Sequence, residues 1–362
     1  MHATRRYAAI LAGGSGERFW PLSRRRRPKQ LVVLPGSNSS LLSDAVRRLK
    51  PIFPAEQTLV VTSRELEAAV NDAVPVQVVA EPLRRNTAGA LAWLAATLLA
   101  EHGEPEGITI AVLTSDHRIE PPDAFRRDIE AALELAERER AIVTIGVRPL
   151  RPDPSYGYLE IDLGETIELH GARAHPVRRF HEKPSPDLAR EYAAAPDFLW
   201  NSGMFFWPLT VFLDEMARVA PRHLDVIHRL APLIRDGDVL GAERVFAELP
   251  DISIDYLLME RASRIFVVEA DFEWDDLGTW GALARYLQTD TRGNSAYGDC
   301  VLHHSADCVV YNDAPDVVTC VSGAYNLLVV VTADAVLVCN KDQPESVREV
   351  VAALRERGSE TL

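Results

Sequence analysis

A run of small residues, Ala12, Gly13, Gly14, Ser15 and Gly16, leads to Arg18, and Lys29 follows in the segment Pro28-Lys29-Gln30. Glycines can turn the backbone so that successive N–H groups face one concavity, and they let an anion approach the main chain. Arg18 adds a planar fork for phosphate oxygens and Lys29 a compact positive charge. The pattern suits a bound phosphate; the bland alternative is a structural turn after a first strand. No Gly-Lys-Ser/Thr follows, and no third glycine stands three residues beyond Gly16, so neither the P-loop nor the dinucleotide fingerprint is complete.

Two aspartates extend this chemistry. Asp116 ends the apolar run ITIAVL, and Asp276 follows the run that closes with Phe272–Trp274. Both lie at the loop side of expected strands, where they could converge, and Mg²⁺ takes one or two carboxylates beside phosphates and water. Capping of the next helix by Asp116, or of a turn by Asp275 or Asp276, is the structural alternative; Asp275 is the less favoured ligand. His117, His181 and the pair His303-His304 have no second ligand at helical or ribbon spacing, so they are not expected to hold metal. No Ser-His-Asp arrangement stands out.

These residues need elements to position them. YAAILA, TLVVT, VQVVA, ITIAVL and AIVTIGV read as strands, and Leu41–Leu49, Arg64–Ala73, Ala88–Ala100 and Pro122–Arg138 have helical spacing. Alternating β and α units call for a mixed, mostly parallel, Rossmann-like sheet with helices on both faces, which binds ligands beyond the carboxyl ends of its strands. From Pro149 the pattern changes. YGYLEIDLG and TIELHG read as strands paired with each other, then come a helix over Asp187–Ala194, the strand WNSGMFFW and helices across Leu209–Glu260. After Asp290, short β runs without helices imply an open sheet or a short coil of parallel strands, closed by a helix over 344–357. The expected division is a catalytic domain over 1–288 and a small C-terminal β-rich, β-helix-like domain over 289–362. Trp20, Trp274 and Trp280 read as packing or loop anchors.

The chain carries 39 basic and 53 acidic residues, net −14, with 47% apolar and 25% charged residues. That balance excludes disorder and argues against nonspecific nucleic-acid binding. No apolar run is long enough to cross a bilayer, and Tyr7–Ala12 is too short for a signal-peptide core, so a cytoplasmic protein is expected. Residues 1–30 hold seven arginines and one lysine against one glutamate. A basic knot in an acidic chain fits a polyanion of limited size, although Arg24–Arg27 could equally be a solvated run. Cys300, Cys308, Cys320 and Cys339 match no zinc spacing and read as buried free thiols in strands.

AGGSGER from Ala12, with Trp20-Pro-Leu-Ser and Pro28-Lys29-Gln30, resembles the signature of the sugar-nucleotide pyrophosphorylases, and within them the guanylyltransferase branch. Further matches follow in order: Glu81-Pro-Leu-Arg-Arg-Asn-Thr-Ala, Ser115-Asp-His, Tyr156-Gly-Tyr, Phe180-His-Glu-Lys-Pro, Trp200-Asn-Ser-Gly-Met-Phe and Trp274-Asp-Asp-Leu-Gly-Thr-Trp. They span essentially the whole chain. Gly89 stands where proline is expected, and Thr114-Ser115 where Pro-Ala is expected.

The resemblance implies a magnesium-dependent nucleotidyltransferase that takes GTP and mannose 1-phosphate to GDP-mannose and pyrophosphate. It maps two metal-binding aspartates onto Asp116 and Asp276. It also places Glu81, Arg85, Asn86 and Thr87 at the nucleotide base, with a capping role open for Asn86 and Thr87. Gly157, Glu182, Lys183 and Asn201 would form the sugar-phosphate pocket. Another sugar 1-phosphate, or a noncatalytic regulatory paralogue that binds GDP-mannose, are the alternatives. The tail after Asp290 lacks a clustered His/Glu set, so a second, isomerase activity is not expected. A homodimer is compatible with the sequence, which does not decide assembly.

Overall fold

The computed structural model describes residues 4–14, 16–343, 345–359 and 361–362. Packing divides them into two units. One gathers the described residues of Met1–Gly13, Ala45–Ser115 and Ile119–Trp274; the other joins Gly14–Asp44, Asp116–Arg118 and Asp275–Leu362. This division differs from a single cut after residue 288, because the segment carrying Gly16 and Lys29 packs with the C-terminal part of the chain.

In the first unit a ten-stranded sheet runs, from one edge, through Gln77–Glu81, Thr58–Ser63, Arg5–Leu11 and Ile108–Thr114, all parallel. Phe198–Pro208 then enters antiparallel beside Ile108–Thr114 and is followed by Ile142–Val147, Ile265–Glu269, Ala172–His181 and Tyr158–Ile161. The sheet is thus mixed, with its parallel run at the amino-terminal side. The parallel strands Thr58–Ser63 and Ile142–Val147 are buried along their whole length, as strands covered on both faces must be.

Helix Asn86–His102 is apolar almost all round, from Ala88 and Leu91 to Leu98, and packs against Pro221–Arg235. Helix Pro122–Glu139 buries one stripe, Phe125, Ile129, Ala132, Leu133 and Ala136, at helical spacing. It begins with proline in its first turn, where a missing N–H costs nothing, and ends at Arg140 in the left-handed region.

The expected pairing of YGYLEIDLG with TIELHG is corrected. Tyr158–Ile161 and Ile167–Leu169 each pair with Ala172–His181 instead. His170 and Gly171 both have positive φ, so they form a tight two-residue turn that folds Ile167–Leu169 directly onto the strand that follows it.

In the second unit Ser295–Tyr297, Val309–Asn312 and Leu327–Val331 stack in parallel, and Val336–Asn340 returns antiparallel on the last of them. Cys300–His303 and Thr319–Ser322 form a second parallel pair. One core, centred on Val309, Tyr311, Leu328 and Val330, also takes Phe19, Trp20 and Leu22 from the segment after Gly16, and Val347 and Val351 from the C-terminal helix Ser346–Glu356. Trp20 and Trp280 are anchors here, and the Trp280 indole donates to the Trp20 carbonyl. The cysteine expectation holds only in part: all four thiols are free, but only Cys308 is buried and Cys320 is exposed. In Thr319–Ser322 it is Thr319 that faces inward, so its neighbour must face water.

Candidate active site

Within the second unit, Gly14, Gly16, Arg18, Lys29, Asp116 and Asp276 line one cavity of about 340 Å³. The chain enters it at Gly16, whose φ of 63° lies in the left-handed region. A Cβ there would stand 2.9 Å from the Lys29 main-chain nitrogen, so glycine is required both by conformation and by the approach of Lys29. A Cβ on Gly13 or Gly14 would meet nothing within 4 Å, which leaves those stretches of backbone open. The Gly16 carbonyl accepts from the Phe19 N–H and the Ser23 hydroxyl, closing the turn that presents Arg18. Ser15 lies outside the described residues.

Lys29 is buried, and its ammonium donates to Asp116 Oδ2 at 2.7 Å and to the Asp276 carbonyl oxygen at 2.6 Å. One cation thus draws both aspartates to the same wall. Burial pushes the Asp116 carboxyl up, but Lys29 and His117 outweigh it and hold the group below the ordinary carboxylate range. Asp116 is therefore ionised and does not serve as the cap of helix Pro122–Glu139, a place taken by Pro121.

Asp276 and Asp275 have separate tasks. Asp276 Oδ1 accepts from the Gly278 N–H and lines the cavity. Asp275 faces inward, accepting from the Leu277 N–H, the Tyr286 hydroxyl and the Arg285 guanidinium. Among the described residues no cluster of three or more His, Cys, Asp or Glu side chains forms a metal cage. Two carboxylates on one wall do fit a hard cation that takes its remaining ligands from phosphates and water.

Glu81, Arg85, Asn86 and Thr87 belong to the first unit. Glu81 ends the strand Gln77–Glu81, is buried, and its Oε2 has no hydrogen-bond partner. Burial raises its carboxyl to about 8, with Arg84 opposing and Asp251 reinforcing the shift. A buried acceptor left unpaired is costly unless a donor comes to it.

Asn86 and Thr87 are occupied structurally. Asn86, at φ 58°, accepts from the Thr87 N–H and donates to Asp251, while the Thr87 hydroxyl accepts from the Ile254 N–H. Arg85 donates to the Ala247 carbonyl, and its buried Nε has no partner. Gly89 now has a reason: a Cβ there would collide with the Arg85 Cβ.

The first unit also brings Gly157, Glu182, Lys183 and Asn201 together. A Cβ on Gly157 would stand 2.6 Å from Glu182 Oε2 and 3.3 Å from the Asn201 Cβ, so this glycine makes room for the Glu182 carboxylate. Lys183 donates to Glu182 Oε1 at 2.6 Å, and its ammonium lies 5.6 Å from the centre of the Tyr256 ring. Burial would lower the Lys183 ammonium, but Glu182, Tyr256 and Asp255 raise it, so it stays charged.

Asp255 was not singled out from sequence. It accepts from Asn201 Nδ2 at 3.1 Å, and burial followed by the nearby Glu182 raises its carboxyl to about 6. Its one sequence signal is Ser253, whose side chain caps the short helix Ile254–Leu257 and so sets Asp255 in its first turn. Arg348, also missed, comes from the C-terminal helix to the cavity lined by Gly14, Gly16 and Lys29. The arrangement can bind an anion beside two carboxyl side chains, and separately a polyhydroxylated ligand against carboxylates, an amide and an ammonium.

Comparison with known proteins gives the family of the chain. A nucleotidyl transferase family model matches residues 7–293, and a model of the MannoseP isomerase/GMP-like beta-helix domain matches 298–354. The mannose-1-phosphate guanylyltransferases of Escherichia coli and Klebsiella pneumoniae are each 34% identical over 355 residues, covering 96% of this chain and 73% of theirs. Among solved structures, one described as a mannose-1-phosphate geranyltransferase from Thermus thermophilus is 37% identical, with a TM-score of 0.84 over 97% of this chain and 99% of that one.

Proposed function

Because this chain belongs to the nucleotidyl transferase family, we propose that it transfers GMP from GTP to α-D-mannose 1-phosphate, giving GDP-mannose and pyrophosphate. The observation that carries the reading is the meeting of Lys29, Asp116 and Asp276 in one cavity that Gly14 and Gly16 line.

The attacking phosphate oxygen is already largely ionised at neutral pH, since a phosphate ester loses its second proton at about pH 6. No general base is required. The barrier lies in bringing two anions together and in the charge on the departing pyrophosphate, so positioning and cations do the work. Arg18 and Lys29 supply fixed positive charge, and the open main chain of Gly13 and Gly14, just after Ala12, lets phosphates approach. Mg²⁺, held by Asp116 and Asp276, supplies charge neutralisation to the phosphates when bound. Glu81, neutral in the free chain, loses its proton as the N–H and amino group along the edge of guanine reach it, because a donor pair is satisfied by the ionised carboxylate. Arg85, Asn86 and Thr87 frame that position. Lys183 neutralises the sugar phosphate, and Glu182, Asn201 and Asp255 meet sugar hydroxyls.

Among the described residues no helix is long and apolar enough to cross a membrane, and the substrates are small and charged, which supports a cytoplasmic enzyme. A homodimer is compatible with the apolar side chains exposed on the β extension, Val318, Val336 and Val338 among them. A matrix of nucleoside triphosphates against sugar 1-phosphates, read by pyrophosphate release, tests the whole reading. GTP with mannose 1-phosphate gives the highest turnover. A higher rate with another sugar reassigns the sugar, and no release with any pair leaves a GDP-mannose-binding regulatory paralogue.

A further inference from the structure

The C-terminal helix brings a second arginine to the cavity that holds Arg18. Arg348 lines it, and its helix is held by Val347 and Val351, which are buried in the core that also contains Phe19 and Trp20. A second tie, from Arg355 to Glu17 at 2.7 Å, fixes the same helix against the turn after Gly16. The position of Arg348 is thus set by packing.

Between the two guanidiniums stands one carboxylate. Glu345 Oε1 lies 3.4 Å from Arg18 Nη2, and Glu345 Oε2 accepts from Arg348 Nη1 at 3.3 Å. Both contacts are longer than the ~2.7–2.9 Å of a good charge-assisted bond. The Glu345 side chain is 62% exposed, so it can return to water at little cost. Arg18, in contrast, keeps a buried Nε with no partner. A carboxylate loosely shared by two arginines, one with an unused buried donor, resembles an anion site filled by a weak internal substitute.

The geometry points to Arg348 as a further phosphate-binding residue, paired with Arg18, and to Glu345 as an internal anion that yields its place to the polyphosphate of the substrate or to released pyrophosphate. This rests on the nucleotidyl-transfer reading and deepens it. On binding, phosphate oxygens take over both guanidiniums and the Arg18 Nε, and Glu345 swings out. Exchanging a loose carboxylate contact for phosphate makes the C-terminal helix sense occupancy of the site.

Calorimetric titration with inorganic pyrophosphate, and separately with GTP, tests this on the full chain. Arg348→Met weakens both about 10- to 100-fold, the loss expected for hydrogen bonds to a charged group. Arg348→Lys recovers part of the loss. Glu345→Gln tightens both about 2- to 10-fold by removing the competitor. In turnover, Arg348→Met raises the apparent KM for GTP and leaves that for the sugar phosphate unchanged, a split that a general loss of structure does not produce.

Wild-type-like affinity in Arg348→Met, or weaker binding in Glu345→Gln, overturns this assignment while the transfer reaction stands. Failure of the wild-type chain to bind either probe overturns both.

Discussion

At Glu81 the cost of an unpaired buried carboxyl becomes measurable. Folding holds it neutral up to about pH 8, whereas the unfolded chain ionises it near 4.5. Between those values the unfolded state binds fewer protons, so this group's contribution to stability falls as pH rises through that window. Glu81→Gln therefore gains stability relative to wild type at pH 8.5 but not at pH 5, in urea titrations at the two values. Equal differences at both would mean the carboxyl is not held neutral. Asp276→Asn cuts turnover by orders of magnitude while leaving the unfolding midpoint close to wild type, because it removes charge at constant volume; near-normal turnover removes Asp276 from the reaction. Lys183→Met raises the apparent KM for the sugar phosphate about 10-fold or more and leaves that for the nucleotide unchanged. Individual residues were legible where type and spacing pointed to one place: Gly16, Lys29 and Asp116, singled out from sequence, line one cavity. Arg348 was not. Three residues after Glu345 on an amphipathic helix, it reads as half of a surface pair, and only packing turns it toward the cavity.

Among the elements, the turn at Gly16 carries the most consequence. Gly16→Ala forces an L-residue to a φ of 63°, worth about 1–2 kcal/mol, and drives its Cβ toward the Lys29 main chain. The expected result is a lower melting temperature and loss of GTP affinity, both read by thermal shift with and without nucleotide. An unshifted melting temperature would show that the turn has another conformation. Strands and long helices were legible because their periodicity is strong: the helix expected over Pro122–Arg138 is found as Pro122–Glu139. Pairing was harder to read. Three short β runs between Tyr156 and His181 allow more than one hairpin, and the choice falls to the backbone of His170 and Gly171, whose handedness neither residue type announces alone. Cys320 was misjudged for a related reason: an apolar neighbourhood does not say which face of a four-residue strand turns outward.

For the molecule as a whole, the second unit is assembled from three stretches of chain far apart in sequence. Its core takes side chains from two of them, so Val351→Asp, which buries a charge beside Phe19 and Trp20, should destabilise it by more than about 2 kcal/mol. Weakened pyrophosphate binding accompanies that loss, whereas binding of the sugar phosphate, whose proposed contacts are in the first unit, is less affected. A boundary drawn from composition cannot show this, because no local feature of Gly14–Asp44 says that its apolar residues are meant for strands after residue 290.

That scattered origin also shapes how the protein is made. Phe19, Trp20 and Leu22 leave the ribosome early, yet Trp280 and Tyr311, against which they are finally covered, are still to be translated. From Asp44 to Asp275 alone is roughly 230 residues, about 10–50 s at ~5–20 residues per second. For that interval a newborn aromatic cluster is without its shelter, and it lies in the same stretch of chain that carries Gly16, Arg18 and Lys29.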